Sequence, residues 1–251
     1  MARAAGAEAT GAGVAQAPPP AVVEAVAAMA VDDDISHNLQ GQRLGRKGRD
    51  TRDRILLAAT RLLYCDRREV PISMSAVARE ASLGMTSLYN YFKDLSELLG
   101  AVLEGVMASA EDAYLAPLRR RWDDAELAAR CYEFVRGYHA FWQQHSYLLH
   151  LRNALSDKAD PVMTRQRIKS TQPIIALIVE QMGGDPQAPR SHIFATATVL
   201  MIGIERSVTI STDNDLPVKM AQDIQHDDDH FLRPCARLME MAIRDMRDQR
   251  G

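Results

Sequence analysis

The chain has 251 residues, of which 47% are hydrophobic and 25% charged, a composition typical of a globular protein with enough apolar side chains for a sizeable core. Its three cysteines are far apart and form neither a CxxC pair nor a Cys/His ligand pattern. A disulfide framework and a zinc site are therefore disfavoured, no cofactor is implied, and a reducing cytoplasm is the expected location.

The formal net charge of −3 conceals a strong asymmetry along the chain. Residues 43–93 contain eleven Lys or Arg and five Asp or Glu, so this segment carries +6 and the rest of the chain carries −9. A basic segment on an acidic body favours a polyanionic partner for that segment. A solvated charged face is the other interpretation of the same pattern.

Residues 1–45 are rich in Ala, Gly and Pro and predict a flexible tail. The chain begins without the apolar region of a secretory signal. The longest uninterrupted apolar run, at 21–31, is too short to cross a bilayer and contains Glu24, so no membrane segment is expected.

Helical periodicity begins at Asp50, which with Thr51 is a candidate N-cap. One buried stripe is predicted for this first helix, formed by Ile55, Leu56, Ala59, Leu62 and Leu63. Two short helices and a long one follow. The first short helix is predicted to begin with an N-cap at Ser73 or Ser75, and a break at Gly84 separates it from the second, which ends at Tyr91. The long helix is predicted to begin with an N-cap at Asp94 or Ser96 and to end near Pro117.

Further helices are predicted at 123–145, 146–156, 160–182, 188–211 and 228–248. No segment shows the alternation of a strand bounded by turn signals. The sequence therefore predicts an all-α fold.

The first three helices have the arrangement of a helix-turn-helix DNA-binding unit, in which two helices provide a small core that presents the third to DNA. Val77, Leu83 and Leu88 are expected to point inward beside Leu56 and Leu63. The residues expected to be partly available on the outer surface are Met85, Thr86, Ser87, Tyr89, Asn90 and Tyr91.

The run "TRDRILLAATRLL" (51–63), continued by "SMSAVAREASLGMTSLYNYFKDLSELL" (73–99), resembles the TetR/AcrR family of transcriptional regulators. The "SLYNYF" core, followed by a leucine-bearing helix, is its most specific part. The resemblance covers about residues 48–105. It implies a flexible tail over 1–45, a helix-turn-helix domain over 46–94, and a helical effector-binding and dimerisation domain over 95–251.

This sequence departs from the family pattern at four positions. Ser82 stands at the turn glycine, Gly84 at the N-cap serine and Thr86 at a glycine of the recognition helix. Leu95 stands at the lysine that opens the fourth helix, and Lys93 is expected to replace its phosphate contact.

The resemblance implies a role for individual residues on a double-stranded, palindromic operator. Tyr89 is expected to contact a phosphate, and Tyr91 to pack or reach the backbone. Thr86, Ser87 and Asn90 are candidates for reading base edges, and Met85 for a thymine methyl. The remaining expected DNA-binding residues are Ser73 and an arm of Arg43, Arg46, Lys47 and Arg49.

The resemblance also implies a small organic effector, bound between the long helices of the second domain. Candidate contacts combine aromatic or polar groups with apolar neighbours: Met107, Tyr132, Tyr138, His139, Trp142, Arg152, Asn153, Phe194, Thr198, Met201 and Glu205. Ordinary core packing is the alternative for each. The last two long helices are expected to form a four-helix homodimer interface, again with core packing as the alternative.

An enzyme is disfavoured, because no GxSxG, HExxH, P-loop or GxGxxG pattern occurs and no catalytic residue is assigned. "HDDDH" at 226–230 has metal-like spacing, but its aspartates are better suited to capping the last helix. The expected function is a repressor released from its operator by the effector. The alternative is a helical adaptor that binds an acidic protein instead of DNA.

Overall fold

The computed structural model describes residues 20, 39, 41, 43–64, 71–213 and 228–249. Within these ranges every regular element is helical and none is a strand, which confirms the all-α prediction. The predicted flexible tail lies almost entirely outside the described residues, as does His226 of the "HDDDH" pattern.

The α-helices in the described ranges are, in chain order, α1 (Arg46–Tyr64), α2 (Met74–Glu80), α3 (Met85–Tyr89), α4 (Leu95–Ala108), α5 (Leu127–Gln144), α6 (Ser146–Asp157), α7 (Pro161–Gln181), α8 (His192–Ser211) and α9 (Asp228–Asp248). A π-helical turn (Glu111–Leu115) and a 3-10 turn (Ala116–Arg119) join α4 to α5. We call α1–α3 the head and α4–α9 the body.

Helix α1 starts one turn earlier than predicted. The amide groups of Gly48 and Arg49 both donate to the carbonyl of Gly45, at 2.9 and 3.1 Å, so the helix is under way before Asp50. Thr51 lies inside it and bonds the carbonyl of Lys47 rather than capping the start.

The helix expected to run from Leu95 to near Pro117 is also interrupted. Its α-helical part ends at Ala108, and the π-helical turn then brings the Tyr114 side chain into the body. Gly137 of α5 allows this approach, because a Cβ there would lie 2.8 Å from the carbonyl oxygen of Ala113. Smaller differences are the end of α3 at Tyr89 and the starts of α5 and α8 four residues later than predicted.

Three predicted helix starts are confirmed by side-chain caps. Ser73 accepts from the amide of Ala76 at 3.3 Å, and Asp94 from that of Glu97 at 2.8 Å. Asp160 accepts from two amides at the start of α7, at 2.9 and 3.0 Å. Each cap satisfies backbone donors that have no partner inside the helix.

Helix α4 belongs to the core of both parts. Leu98, Val102 and Val106 are fully buried, and α4 packs against α1 of the head and α7 of the body. At Gly100 a Cβ would lie 2.9 Å from Val162 of α7, so the absence of a side chain there permits the close packing. The hydrophobic core is therefore continuous from head to body.

Helix α8 is long and apolar enough to cross a membrane by length and composition alone, a property that the search for uninterrupted apolar runs missed. Its buried face, which includes Ala197, Met201 and Ile204, packs in the body against α5, α7 and α9. A core helix of a globular protein passes the same test, so this feature is weak evidence for a membrane span.

Candidate nucleic-acid interface and interior of the body

Helix α3 is held by two apolar side chains and exposes its other face. Leu88 and Phe92 are buried in the head, as are Val77, Leu56 and Leu63 on the helices beneath, in agreement with their predicted inward orientation. Met85, Thr86 and Tyr89 point to solvent. Tyr89 is 46% exposed, a large value for an aromatic side chain on an otherwise well-packed unit.

The turn between α2 and α3 is a Schellman motif. The amide of Leu83 donates to the carbonyl of Ala78 at 2.8 Å, and that of Ser82 to Arg79 at 3.1 Å. Ser82 has φ of 52°, in the left-handed region that favours glycine. The position where the resemblance expects glycine therefore keeps the glycine-type conformation with a serine in it.

Other predicted contacts near α3 are less exposed. Ser87, Asn90 and Tyr91 are half-buried, and Tyr91 packs against the core, as one of its two predicted roles requires. The carbonyl of Asn90 accepts a hydrogen bond from the amide of Leu39 at 3.1 Å. The Ser73 hydroxyl serves as the cap of α2.

The basic arm lies at the start of α1. Arg43, Arg46 and Lys47 are exposed, and Arg49 is half-buried. Leu44 is buried among them and anchors this segment to the head. The arm thus presents cations from a fixed position, which is the arrangement that phosphate binding needs.

Lys93 and Leu95 lie in different environments. The Lys93 side chain is 62% exposed, with its ammonium 4.0 Å from Asp94, whereas Leu95 packs against the core. The backbone amide of Lys93 donates to Glu97 at 2.8 Å, which fixes the chain where α4 begins. Lys93 is therefore available for a phosphate contact and Leu95 is not.

Three of the predicted effector residues, Arg152, Asn153 and Glu205, form a polar cluster inside the body. The Arg152 guanidinium donates to Ser170 at 2.9 Å and to Asn153 at 3.0 and 3.1 Å, and lies 3.8 Å from Glu205. Glu205 also lies 3.5 Å from Arg167. Burial lowers the pKa of Arg152, and Glu205 opposes this effect.

Aromatic rings cover this polar cluster. Trp142 lies under the Arg152 guanidinium, at 5.4 Å, and contacts Tyr138 at 6.3 Å. Tyr138 meets Tyr114 edge-on at 5.1 Å. Sequence analysis missed Tyr114, because only the π-helical turn directs it inward and no pattern signalled that turn.

The remaining effector candidates are divided between the interior and other contacts. His139 and Met201 are buried, whereas Met107, Phe194 and Thr198 are half-buried. Tyr132 faces α9, where Arg233 lies 5.3 Å from its ring. No predicted effector residue lines the cavity of about 560 Å³ between α8 and α9 or the cavity of about 470 Å³ between head and body.

A buried hydrogen bond joins head and body. The hydroxyl of Tyr64, at the end of α1, bonds Nδ1 of His145, at the junction of α5 and α6. Burial lowers the pKa of His145 to about 4 and raises that of Tyr64, so the imidazole is neutral and the phenol is protonated at neutral pH. Sequence analysis assigned no role to either residue.

Helices α8 and α9 share an exposed apolar face. Val199 is 71% exposed and Leu238 59%, with Ile202 and Met241 also above one half. A groove of about 560 Å³ runs between the two helices, floored by small and apolar residues that include Gly203 and Ala242. An apolar patch of this kind on a folded protein marks an interaction surface.

No protein-family model matches the chain, and no curated protein matches it significantly. No group of His, Cys, Asp and Glu suited to a metal occurs within the part of the chain that the structure describes. The geometry of the surfaces above is therefore the basis for a functional interpretation.

Proposed function

We propose that the protein is a cytoplasmic DNA-binding transcriptional regulator of the TetR/AcrR type, a homodimeric repressor released from its operator by a small organic effector. The observation that carries the proposal is the orientation of α3. Buried Leu88 and Phe92 fix this short helix so that Met85, Thr86 and Tyr89 face outward. A short helix held rigidly with polar and aromatic groups outward suits the major groove.

The charge distribution supports the same function. Exposed Arg43, Arg46 and Lys47 lie on the same small unit as α3, and Lys93 follows it. Phosphate contacts from such cations position a reading helix and make binding dependent on salt. An acidic body with a basic head then orients the protein on DNA.

The apolar face of α8 and α9 supports the homodimer. Four large side chains stand exposed on these two helices, and a copy of the same face would cover them. Two heads held by one dimer would address two half-sites, which is why a palindromic operator is expected.

In this proposal, helix α4 transmits the effect of ligand binding from the body to the head. This helix is buried on both sides, between α1 of the head and α7 of the body. A ligand that displaces its body end would move the heads and change the spacing of the two α3 helices. We propose that the effector binds in the interior of the body against Tyr114, Tyr138 and Arg152, and displaces α4 from there.

Fluorescence anisotropy with DNA flanking the protein's own gene tests the DNA-binding part, with scrambled DNA as a control. Binding should prefer the flanking DNA and lose orders of magnitude in affinity between about 50 and 200 mM salt. Tyr89→Ala should weaken it at least about tenfold, the scale of one charge-assisted contact. Tyr147→Ala is the matched control, since Tyr147 is 45% exposed on α6, outside the head.

Equal affinity for all fragments, in this assay and in a genome-wide selection of bound DNA, would contradict the proposal and leave the helical adaptor. Light scattering tests the dimer separately. Leu238→Glu should yield a folded monomer, and Ile168→Glu, changed at a 50% exposed position on α7, should stay dimeric. A wild-type protein that is monomeric at micromolar concentration would exclude the α8–α9 interface.

A further inference from the structure

A second cavity lies between head and body, away from the apolar face of α8 and α9. Its volume is about 470 Å³, within the range of sites that hold small organic ligands. Its walls come from the start of α1, the segment after α3, α4 and the first half of α7. We call it the head–body cleft.

Charged side chains line the cleft unequally. The cations are Arg52, Lys93, Arg165 and Lys169, and the acids are Glu97 and Glu104. Both acids already accept hydrogen bonds within the cleft. Glu97 accepts from the Lys93 amide at 2.8 Å, and Glu104 from Gln166 and Lys169 at 3.4 and 3.5 Å.

Among the residues that the structure describes, the two arginines have no such partner. Neither Arg52 nor Arg165 forms an ion pair or a side-chain hydrogen bond with any residue that the structure describes. Arg52 is partly buried and stacks on the Phe92 ring at 5.4 Å, while Asp53, Glu97 and Glu104 attract it only at longer range. Burial lowers its pKa, so the guanidinium would gain from an anion placed beside it.

Most of the remaining lining residues are apolar, and Gln166 adds an uncharged amide. The floor of the cleft is formed by Leu44, Tyr91, Phe92, Ala101 and Val162. A ligand that fits must therefore combine one anionic group with a hydrocarbon body. A carboxylate suits the planar, forked donors of arginine better than it suits a lysine.

We propose that the head–body cleft is a binding site for an amphipathic organic carboxylate, with its anionic group at Arg52 and Arg165 and its hydrocarbon part on Tyr91, Phe92 and Val162. Such a ligand would touch α1 and α7 at once and hold the head against the body. Its consequence for DNA affinity rests on the proposed function, whereas the binding itself does not.

Isothermal titration calorimetry of the full chain with decanoate, below its micelle concentration, tests the site, with 1-decanol as the uncharged counterpart. Decanoate should bind saturably at one site per chain, and decanol at least about tenfold more weakly. Arg52→Gln and Arg165→Gln should each weaken decanoate binding about tenfold or more. Arg190→Gln, changed at an exposed arginine in the loop before α8, should leave it unchanged.

Absence of saturable decanoate binding, equal binding of decanol, or unchanged affinity in both arginine variants would each overturn the proposal. Arg165 is exposed, so its variant tests the site even if loss of the Arg52 stack on Phe92 affects folding. No DNA is present in this experiment. Failure of the cleft proposal is thereby distinguished from failure of the DNA-binding proposal.

Discussion

The arginines of the head and those of the body's interior occupy opposite environments. In the head, Arg46, Arg54 and Arg79 extend into solvent from helices whose inner faces are apolar. In the body, Arg152 is 3% exposed and its guanidinium is bonded to neighbouring helices. The difference is that these charges of the head stay in contact with solvent, while this charge of the body is paired within its own packing.

Arg152→Ala is the change with the largest expected effect. It would leave Glu205 buried with only Arg167 and the Asn153 amide beside it, and breaking a buried ion pair costs about 3–5 kcal/mol of unfolding free energy. Arg54→Ala in the head should change stability by less than about 0.5 kcal/mol, because Arg54 is exposed. Urea unfolding followed by circular dichroism, at one protein concentration, measures both.

Equal losses in the two variants would break the comparison, because they would mean that burial does not separate the two arginines. A small loss for both would mean that Arg167 and the Asn153 amide are sufficient to satisfy Glu205.

The pH dependence of stability should also come mainly from the body. His145 is neutral when folded, with a pKa of about 4 against an ordinary value of 6.5. Between these pH values the unfolded chain binds a proton that the folded chain does not, so stability falls as pH falls from 6.5 to 4. At about 1.4 kcal/mol per pKa unit, the total loss is about 3 kcal/mol.

Urea titrations at several pH values test this expectation. His145→Gln should flatten the dependence between pH 6.5 and 4, since glutamine does not titrate. An unchanged slope in this variant would assign the effect to other groups. The described part of the head contains no histidine. Burial raises the pKa of Asp53 there, which acts in the opposite direction and favours the folded state as pH falls.

The smallest expected effects concern two turns that are alike in head and body. Ser82 after α2 and Ala159 after α6 have φ of 52° and 62°, and both follow Schellman-type helix ends. Ser82→Gly and Ala159→Gly should each stabilise the protein by about 0.5–1 kcal/mol, because glycine removes the left-handed strain. Thermal unfolding measures the gain.

Ser75→Gly is the contrasting variant, since Ser75 lies inside α2 and glycine there should destabilise by about 0.5 kcal/mol. Destabilisation by both turn glycines would show that the present side chains contribute more than the strain costs.

Much of the head could be predicted from the sequence. The caps at Ser73 in the head and at Asp94 directly after it depend on amides three positions away, so local patterns were sufficient to place them. The inward orientation of Leu88 followed from helical periodicity. The predicted start of α1 was wrong. The observed start depends on the carbonyl of Gly45 and on buried Leu44, and neither residue is a side-chain cap that a sequence pattern would indicate.

The body was predictable only as a set of helices. Effector candidates were selected by residue type, and periodicity could not show that Arg152 and Glu205 would satisfy one another in the interior. Most of the bonds concerned join residues far apart in the chain, 18 positions from Arg152 to Ser170 and 52 from Asn153 to Glu205. The π-helical turn that buries Tyr114 likewise depends on its packing against Gly137.

By itself, the sequence determined most of the helices, the caps at Ser73 and Asp94 and the outward orientation of Met85, Thr86 and Tyr89, since these depend on hydrogen bonds and periodicity within a few residues. Only the tertiary structure decided which charges are buried and which remain available. Arg52 and Arg165 lie on helices far apart in the chain, and packing of head against body is what brings them to one cleft. Burial and pairing are properties of neighbours in space, which a local pattern does not record.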